Sequence, residues 1–406
     1  MAIDDGPATD DVARRFDHYS PEFVLDPAPT YAHLRQQCPV GRAETYGGFW
    51  IFSKYEDVYR AYHEPEVFSS YPISTPPNMG QMERLIPVEI DPPDHRHYRR
   101  IVDPLFGPKE VNGLEPALRA HAIELIDTIL AKGECDFIAE FAVPYPSAAF
   151  LELMGLPIAD RDMFVGWKDR IIHGLGAAPG DVAALDEVRT QAGLEIYAYF
   201  AELLDARSEQ LTDDLVSHLL RARFAGEREL SQFEVLNFCF LLFIAGLDTV
   251  TSALGHSILH LGRRPDLQDR LAEEPALIPS AIEELLRWES PVFPGRTVMA
   301  PCTVRGVELE PGDRVMLLTG SAGLDEDAFE RADELILDRH PNRHIAFGAG
   351  NHRCLGSHLA RLELRVAFEE IVRRMPRFSI PEGAEIHAHG GGVKGIGNLP
   401  FRVGRE

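Results

Sequence analysis

Residues 347–356 read FGAGNHRCLG, and the meaning of that stretch turns on one residue, Cys354. A cysteine followed by an apolar residue and a glycine, ahead of a segment that patterns as a helix over residues 357–373, sits at a helix N-terminus. Unpaired backbone N–H groups and the positive end of the helix dipole favour the thiolate there. Gly348, Gly350 and Gly356 leave room for a flat ligand to approach the backbone, and Phe347 offers a hydrophobic wall. The pattern suits a planar cofactor whose metal takes sulfur, with nearby N–H groups tuning the electron density that the sulfur passes on. Haem held by a thiolate is such a group, and it activates oxygen.

Zinc is the competing chemistry, because His352, Cys354 and His358 lie close together and imidazole with thiolate suits that metal. No CxxC pair or fourth ligand at structural spacing accompanies them. Cys38, Cys135, Cys239 and Cys302 read as small buried hydrophobes. Five scattered cysteines make no disulfide framework, which points to a reducing cytoplasm. The N-terminal MAIDDGPATDDVARRF has neither an apolar core nor a basic flank, so neither a leader nor a membrane anchor is expected. A net charge of -24 disfavours nucleic acid and anionic membrane as partners. With 406 residues, 45% of them hydrophobic, the chain can bury a large core. One domain over residues 1–406 is expected, with residues 1–26 as a loosely ordered extension. Residues 72–87, rich in proline, and 174–180 read as mobile loops, and residues 390–397 as a glycine-rich tail.

The longest helical pattern covers residues 231–262 and spans roughly 45 Å. Ser231 with Glu234 forms a capping box, and Gly262 with Pro265 ends the run. Its middle, FCFLLFIAGLDTV, is apolar on nearly all sides, which marks a buried central helix. Within it, Ala245-Gly246-Leu247-Asp248-Thr249 puts a glycine, an acid and a hydroxyl where packing favours none of them, and such local rule-breaking marks a site. A second helix over residues 280–290 opens with Ser280 and Glu283 as a capping box, and Glu284 and Arg287 share one of its faces. Asp91-Pro92-Pro93 starts a further helix with Asp91 as its cap, placing His95 and Arg99 one turn apart.

Taken together these segments resemble the cytochromes P450. The loop matches F-x-x-G-x-x-x-C-x-G, the central helix A-G-x-D/E-T, the second helix E-x-x-R, and residues 95–99 H-x-x-x-R. The likeness runs over residues 27–401 and is strongest to soluble bacterial members of the camphor-hydroxylase group, through LLFIAGLDTV, DPPDHRHYR, SAGLDED and FGAGNHRCLGSHLAR. It implies a mainly α fold with a smaller β-rich region, haem b lying between the long central helix and the cysteine loop.

By this resemblance Cys354 ligates iron, and Phe347, Gly348, Gly356 and Ala245 contact the haem. Thr249 would hydrogen-bond bound oxygen and Asp248 would help relay protons. Glu284 and Arg287, with the meander around Asp338 and Arg339, would hold the cysteine loop. His95, Arg99, Arg296 and His352 would bind the two propionates, which need cations or donors when buried. Leu85, Val88, Leu241, Ile244, Val292, Phe293 and Val393 would line an apolar substrate pocket, suited to a terpenoid or norisoprenoid. The position of the camphor enzyme's ketone-binding tyrosine falls near Glu83, and no tyrosine stands between Pro77 and Ile90, which argues against camphor itself.

No flavin or nicotinamide fingerprint is visible, so electrons are expected from a [2Fe-2S] ferredoxin with its reductase, docking on Arg96, Arg100, Arg353 and Arg361. The expected protein is a cytoplasmic, monomeric monooxygenase that uses dioxygen. The alternatives are a haem-thiolate sensor that binds ligand without turnover, and a dehydratase or peroxide-driven enzyme, in which the acid–alcohol pair is often lost.

Overall fold

The central helix begins as its sequence requires. Ser231 Oγ accepts the Glu234 N–H at 3.2 Å while Glu234 accepts the Ser231 N–H at 2.7 Å, closing the capping box. In the computed structural model, which describes residues 10–174, 177 and 180–404, the helix is interrupted at Asp248 into Gln232–Leu247 and Thr249–Gly262. Asp248 has φ -113° and ψ -27°, away from helical values. The Thr249 hydroxyl donates to the Ala245 carbonyl at 3.0 Å, a back-bond that accompanies such bends. Gly246 is forced by packing, since a Cβ there would lie 2.8 Å from the Phe150 ring.

The first half packs against the long helix Val182–Glu209 and against Pro144–Met154; the second half packs against the π-turn Ile138–Ala142 and the helix Ser357–Arg374. Among the described residues this pair is the one run long and apolar enough to cross a membrane, but half of its most apolar window is buried inside the fold. Helix Ser357–Arg374, which follows Cys354, packs on Glu115–Lys132 and on Ile278–Trp288. To one side lies a five-stranded sheet in the order Val40–Ala43, Phe49–Phe52, Arg314–Leu317, Gly295–Val298, Phe68–Ser69. Arg296 faces Val315 across the antiparallel pair within it.

Several local expectations are corrected. Ser280 caps nothing: the helix starts at Ile278, and the Ser280 hydroxyl donates to the Leu277 carbonyl at 2.9 Å, which frees Glu283 for tertiary contacts. Asp91 does not cap its helix by its side chain either, because the carboxylate is taken by the Ser69 hydroxyl and by Ser70 N at 3.0 Å; the helix runs Asp94–Val102.

Residues 11–26 are not a loosely ordered extension, since Asp11–Arg14 and Pro21–Leu25 are helical and Phe16, His18 and Phe23 are buried in an aromatic cluster. Residues 72–87 are tied down throughout: Glu89 accepts Ile73 N and Leu85 N, Arg314 donates to the Ser74 carbonyl, and buried Arg189 donates to the Asn78 carbonyl. In the other expected loop, residues 175, 176, 178 and 179 lie outside the described residues, as do residues 1–9.

Candidate functional site

The cysteine loop is closed by its own backbone. Cys354 N donates to the Phe347 carbonyl at 2.8 Å, and Gly348 N to Ile345 at 2.8 Å. Gly348 and Gly350 adopt φ of 65° and 63°, which disfavour any side chain. A Cβ at Gly350 would lie 2.3 Å from the Tyr62 carbonyl, so these two glycines serve the backbone and its contact with Tyr62. Gly356 alone would point a Cβ into open space.

Phe347 is held from behind by the Arg361 guanidinium, 4.3 Å from its ring centroid. Arg361 in turn forms two bonds to Glu283, at 2.7 and 2.8 Å, and His344 a third at 2.8 Å. Burial pushes the Glu283 carboxyl up, but Arg361 and His344 outweigh it and bring it to about 2.

Beneath lies the Glu284–Arg287 pair, with neither side chain accessible to solvent. It is not a surface bridge but the centre of a closed network. Arg339 joins Glu284 at 2.9 Å, and Arg287 also donates to the carbonyls of Gly323, Ala332 and Glu334. Asp338 turns outward to Arg270 instead.

The Cys354 residue is exposed. Even so, surrounding protein pushes its thiol up, and the Gly356 N–H with the guanidiniums of Arg99, Arg361 and Arg353 pulls it back. The helix starts at Ser357 with Gly356 as its cap, so the Gly356 N–H and the positive end of the dipole act on the sulfur. A metal cation would supply the missing stabilisation. Zinc has no site here, because His358 is exposed and no group of three or more His, Cys, Asp or Glu side chains able to hold a metal occurs among the described residues.

The expected propionate cations converge beside the loop. Arg99 donates to the Arg353 carbonyl at 3.0 Å, next to the cysteine. The rings of His95 and His352 lie 4.2 Å apart, and His95 Nε2 and both His352 ring nitrogens are buried without partners. Burial holds His95 at about 4; burial together with Arg296, His95 and Arg99 holds His352 at about 2. Arg296 is 1% exposed, stacks 5.0 Å over the Tyr62 ring, and pairs with no carboxylate among the described residues. An uncompensated buried guanidinium beside three orphaned imidazole nitrogens is costly on its own and fits a dianionic ligand. Open space at Gly356 and an accessible sulfur complete a site that suits haem.

On the opposite wall, Ala245 is the exposed residue of a stretch, 235–248, that is otherwise buried or half-buried, with Thr249 one turn later. Leu355, adjacent to Cys354, packs on the same apolar cluster as Ile244 and Leu241. Asp248 is buried and paired twice, with Lys168 Nζ at 3.2 Å and His173 Nε2 at 3.1 Å. Burial would raise its carboxyl, but His173 and Lys168 hold it well below the carboxylate range.

The structure gathers Leu85, Val88, Leu241, Ile244, Val292 and Val393 in or against one apolar cluster. Phe293 is the exception. It belongs to the cluster that includes Phe49, Ile51 and Met316 of the sheet, edge-on to His18 at 6.0 Å, because consecutive side chains of extended backbone point to opposite sides. Sequence reasoning missed Lys168, Asp169 and His173, which no motif marks, and Tyr197. Tyr197 comes from the long helix, where its hydroxyl accepts Met82 N at 3.4 Å and donates to Asn237 Oδ1 at 2.7 Å.

A sequence profile described as Cytochrome P450 matches residues 194–388. The chain is 37% identical to the mycinamicin IV hydroxylase/epoxidase of Micromonospora griseorubida, over 87% of this chain and 90% of that protein. It is 36% identical to the methyl-branched lipid omega-hydroxylase of Mycobacterium bovis, over 85% of this chain and 84% of that protein. Among solved structures it superposes on CYP109E1 from Bacillus megaterium, in complex with testosterone, with a TM-score of 0.86 at 29% identity, covering 95% of this chain and 99% of that one.

Proposed function

This chain belongs to the cytochrome P450 family, and from that premise we propose that it hydroxylates a branched, largely aliphatic substrate of the terpenoid or norisoprenoid class, with electrons from a [2Fe-2S] ferredoxin. It is a haem b monooxygenase of the P450 fold, and enzymes of this family draw on dioxygen and a redox partner. When bound, the haem supplies the activation of dioxygen and the transfer of one oxygen atom.

Everything else falls to the chain. Cys354 offers the sulfur ligand, with the Gly356 N–H moderating its charge. Arg99, which also pairs with Asp103 at 2.8 Å, and Arg296, His95 and His352 would receive the two propionates, filling the histidine nitrogens that are otherwise unmatched. The apolar cluster around Leu241, Ile244 and Val393 excludes water and binds substrate by shape. The Thr249 hydroxyl spends its proton on the Ala245 carbonyl, so its oxygen accepts a hydrogen bond from the site. Asp248 holds the proton entry point one residue away.

The observation that carries this reading is Asp248 itself. A buried acid kept ionised by two cations beside that hydroxyl is expensive machinery. A sensor that only binds ligand needs no proton donor. The relatives' names support the substrate class in part: a macrolide, a methyl-branched lipid and a steroid all present branched aliphatic carbon.

For the ferredoxin, the supporting surface is Arg96, Arg100 and Arg353, all exposed and without an ion pair among the described residues. Arg361 is withdrawn from that set because Glu283 neutralises it. We place the enzyme in the cytoplasm as a monomer.

The test is a screen of terpenoids, norisoprenoids, steroids and methyl-branched fatty acids for a low-spin to high-spin Soret shift. Product analysis with NADH, ferredoxin and ferredoxin reductase follows. A shift with terpenoids or norisoprenoids, and an oxygenated product from them, is expected, and shifts confined to the steroids or fatty acids would overturn the substrate class. Tight ligands that yield no product would favour the sensor.

A further inference from the structure

His173 follows the helix Arg161–Ile171 in a segment that no motif singles out. Its imidazole is held by a carboxylate at each nitrogen, with Nδ1 3.0 Å from Asp169 Oδ1 and Nε2 3.1 Å from Asp248 Oδ2. Side-chain exposure falls along this line, from 29% at Asp169 to 15% at His173 and 2% at Asp248. The three groups thus run inward from solvent to the break in the central helix, in hydrogen-bond contact at every step.

We propose that His173 is the proton relay of this site, taking protons that enter from solvent at Asp169 and handing them to Asp248. The inference rests on the reading of Asp248 as the acid that serves Thr249. In each transfer one proton moves: the Nε2–H bond breaks and an O–H bond forms on Asp248 Oδ2, leaving a neutral imidazole that keeps Nδ1–H. Rotation of the ring then turns the bare nitrogen toward Asp169, where a proton from solvent restores the imidazolium.

The surrounding charges select His173 for this task. Lys168 Nζ touches the same two carboxylates, at 2.8 Å for Asp169 and 3.2 Å for Asp248, but the pair raises its pKa, so it braces them as a permanent cation. His389 lies against His173 with ring centroids 3.5 Å apart, and burial and His173 hold it at about 3, so it stays neutral. His256, on the helix after Asp248, is kept at about 4 by burial. That leaves His173 as the group able to take and release a proton near neutrality. Burial opposes its charge, but Asp248 and Asp169 outweigh burial and raise its pKa above 6.5. Its cationic form therefore persists to higher pH than that of a free imidazole and is lost as pH rises through the folded value.

The test needs neither substrate nor ferredoxin. Holoenzyme reduced with dithionite under argon is mixed with oxygenated buffer in a stopped-flow instrument. The return of the ferric Soret band is followed over roughly pH 5 to 9, in water and in deuterium oxide. The wild type should slow in one step at a pH above 6.5 and show a solvent isotope effect. His173→Gln and His173→Arg should both lose the step and slow by about a hundredfold, the lower range for a positioned proton donor. Arginine keeps a cation between the carboxylates but releases no proton, so H173R should melt with the wild type while failing as a relay. Wild-type rates and profile in H173R would overturn the proposal and leave His173 as a brace.

If H173R does not fold, Asp169→Asn decides, since it cuts the solvent end with His173 in place: it should slow the reaction and lower the step, and a wild-type profile would refute the relay. Nitrogen-15 histidine spectra of the carbon monoxide complex should show His173 titrating above 6.5, and lower in D169N. Asp248→Asn separates the two readings. If D248N is also unchanged, the role of Asp248 fails; if D248N alone is slow, only the relay fails.

Discussion

Replacing Glu284 by alanine should remove the anchor beneath the cysteine loop, and the cost can be worked from its contacts. The carboxylate accepts Arg287 Nε and Nη2 at 2.7 and 2.8 Å, Arg339 Nε at 2.9 Å, Ile336 N at 2.8 Å and Asn342 Nδ2 at 3.2 Å. Its loss strands two guanidiniums whose side chains are 0% and 7% exposed. Breaking a buried pair costs about 3–5 kcal/mol, and the orphaned Ile336 N–H adds about 1–3 kcal/mol. The backbone carbonyls that Arg287 and Arg339 also contact soften this, so about 5 kcal/mol is expected. That is a large share of the roughly 5–15 kcal/mol that a folded protein has. Glu284→Gln keeps one acceptor oxygen and should cost about 3 kcal/mol. Glu283→Ala is the control: Glu283 and Arg361 are each 30% exposed, only His344 among its partners is buried at 3%, and about 1–2 kcal/mol should be lost. Urea denaturation followed by circular dichroism and by haem absorbance gives all three values. A loss below about 1 kcal/mol in E284A, or one equal to that of E283A, would refute the reasoning.

Arg296→Met should leave the apoprotein no less stable, because it replaces an uncompensated buried charge with an apolar chain. Haem transfer to apomyoglobin should quicken by about tenfold or more, as a charge-assisted hydrogen bond is lost; unchanged transfer would remove Arg296 from the propionate set. His18, buried and held at about 4 by burial, stays neutral in the fold while the unfolded chain takes up a proton near 6.5. Stability should therefore fall as pH drops from 6.5 towards 4, by up to about 1.4 kcal/mol per pH unit from this residue. His18→Gln should flatten that slope, and denaturation across the range will show whether it does. Arg96→Glu combined with Arg100→Glu should slow reduction by ferredoxin and weaken its salt dependence, while stopped-flow rates equal to wild type would move the docking face elsewhere.

What could be read from the sequence was local in origin. Ser231 and Glu234 are three residues apart on a nascent helix, so their reciprocal cap needs no tertiary context. The cysteine loop is likewise specified within ten residues, by glycines at positive φ and a backbone bond from Cys354 to Phe347. The misreadings came where distant segments compete for a side chain. Asp91 could cap a helix, but Ser69 and Ser70 claim it. Glu283 could close a cap, but Arg361 and His344 hold it. Asp248 was recognisable as an acid out of place, whereas its partners, His173 and Lys168, lie 75 and 80 residues earlier on an unrelated helix end. Phe293 follows Val292 in sequence but turns to the other side of the sheet, a choice made by the aromatic cluster around His18.

The central claim is that Cys354 holds haem as a thiolate. Its most direct test is the carbon monoxide difference spectrum of the reduced holoenzyme, recorded beside Cys354→Ser. The wild type should give the strongly red-shifted Soret band of a thiolate trans to carbon monoxide, and C354S should lose it. A wild-type band at the shorter wavelength of imidazole-ligated haem, or one unchanged in C354S, would contradict the account.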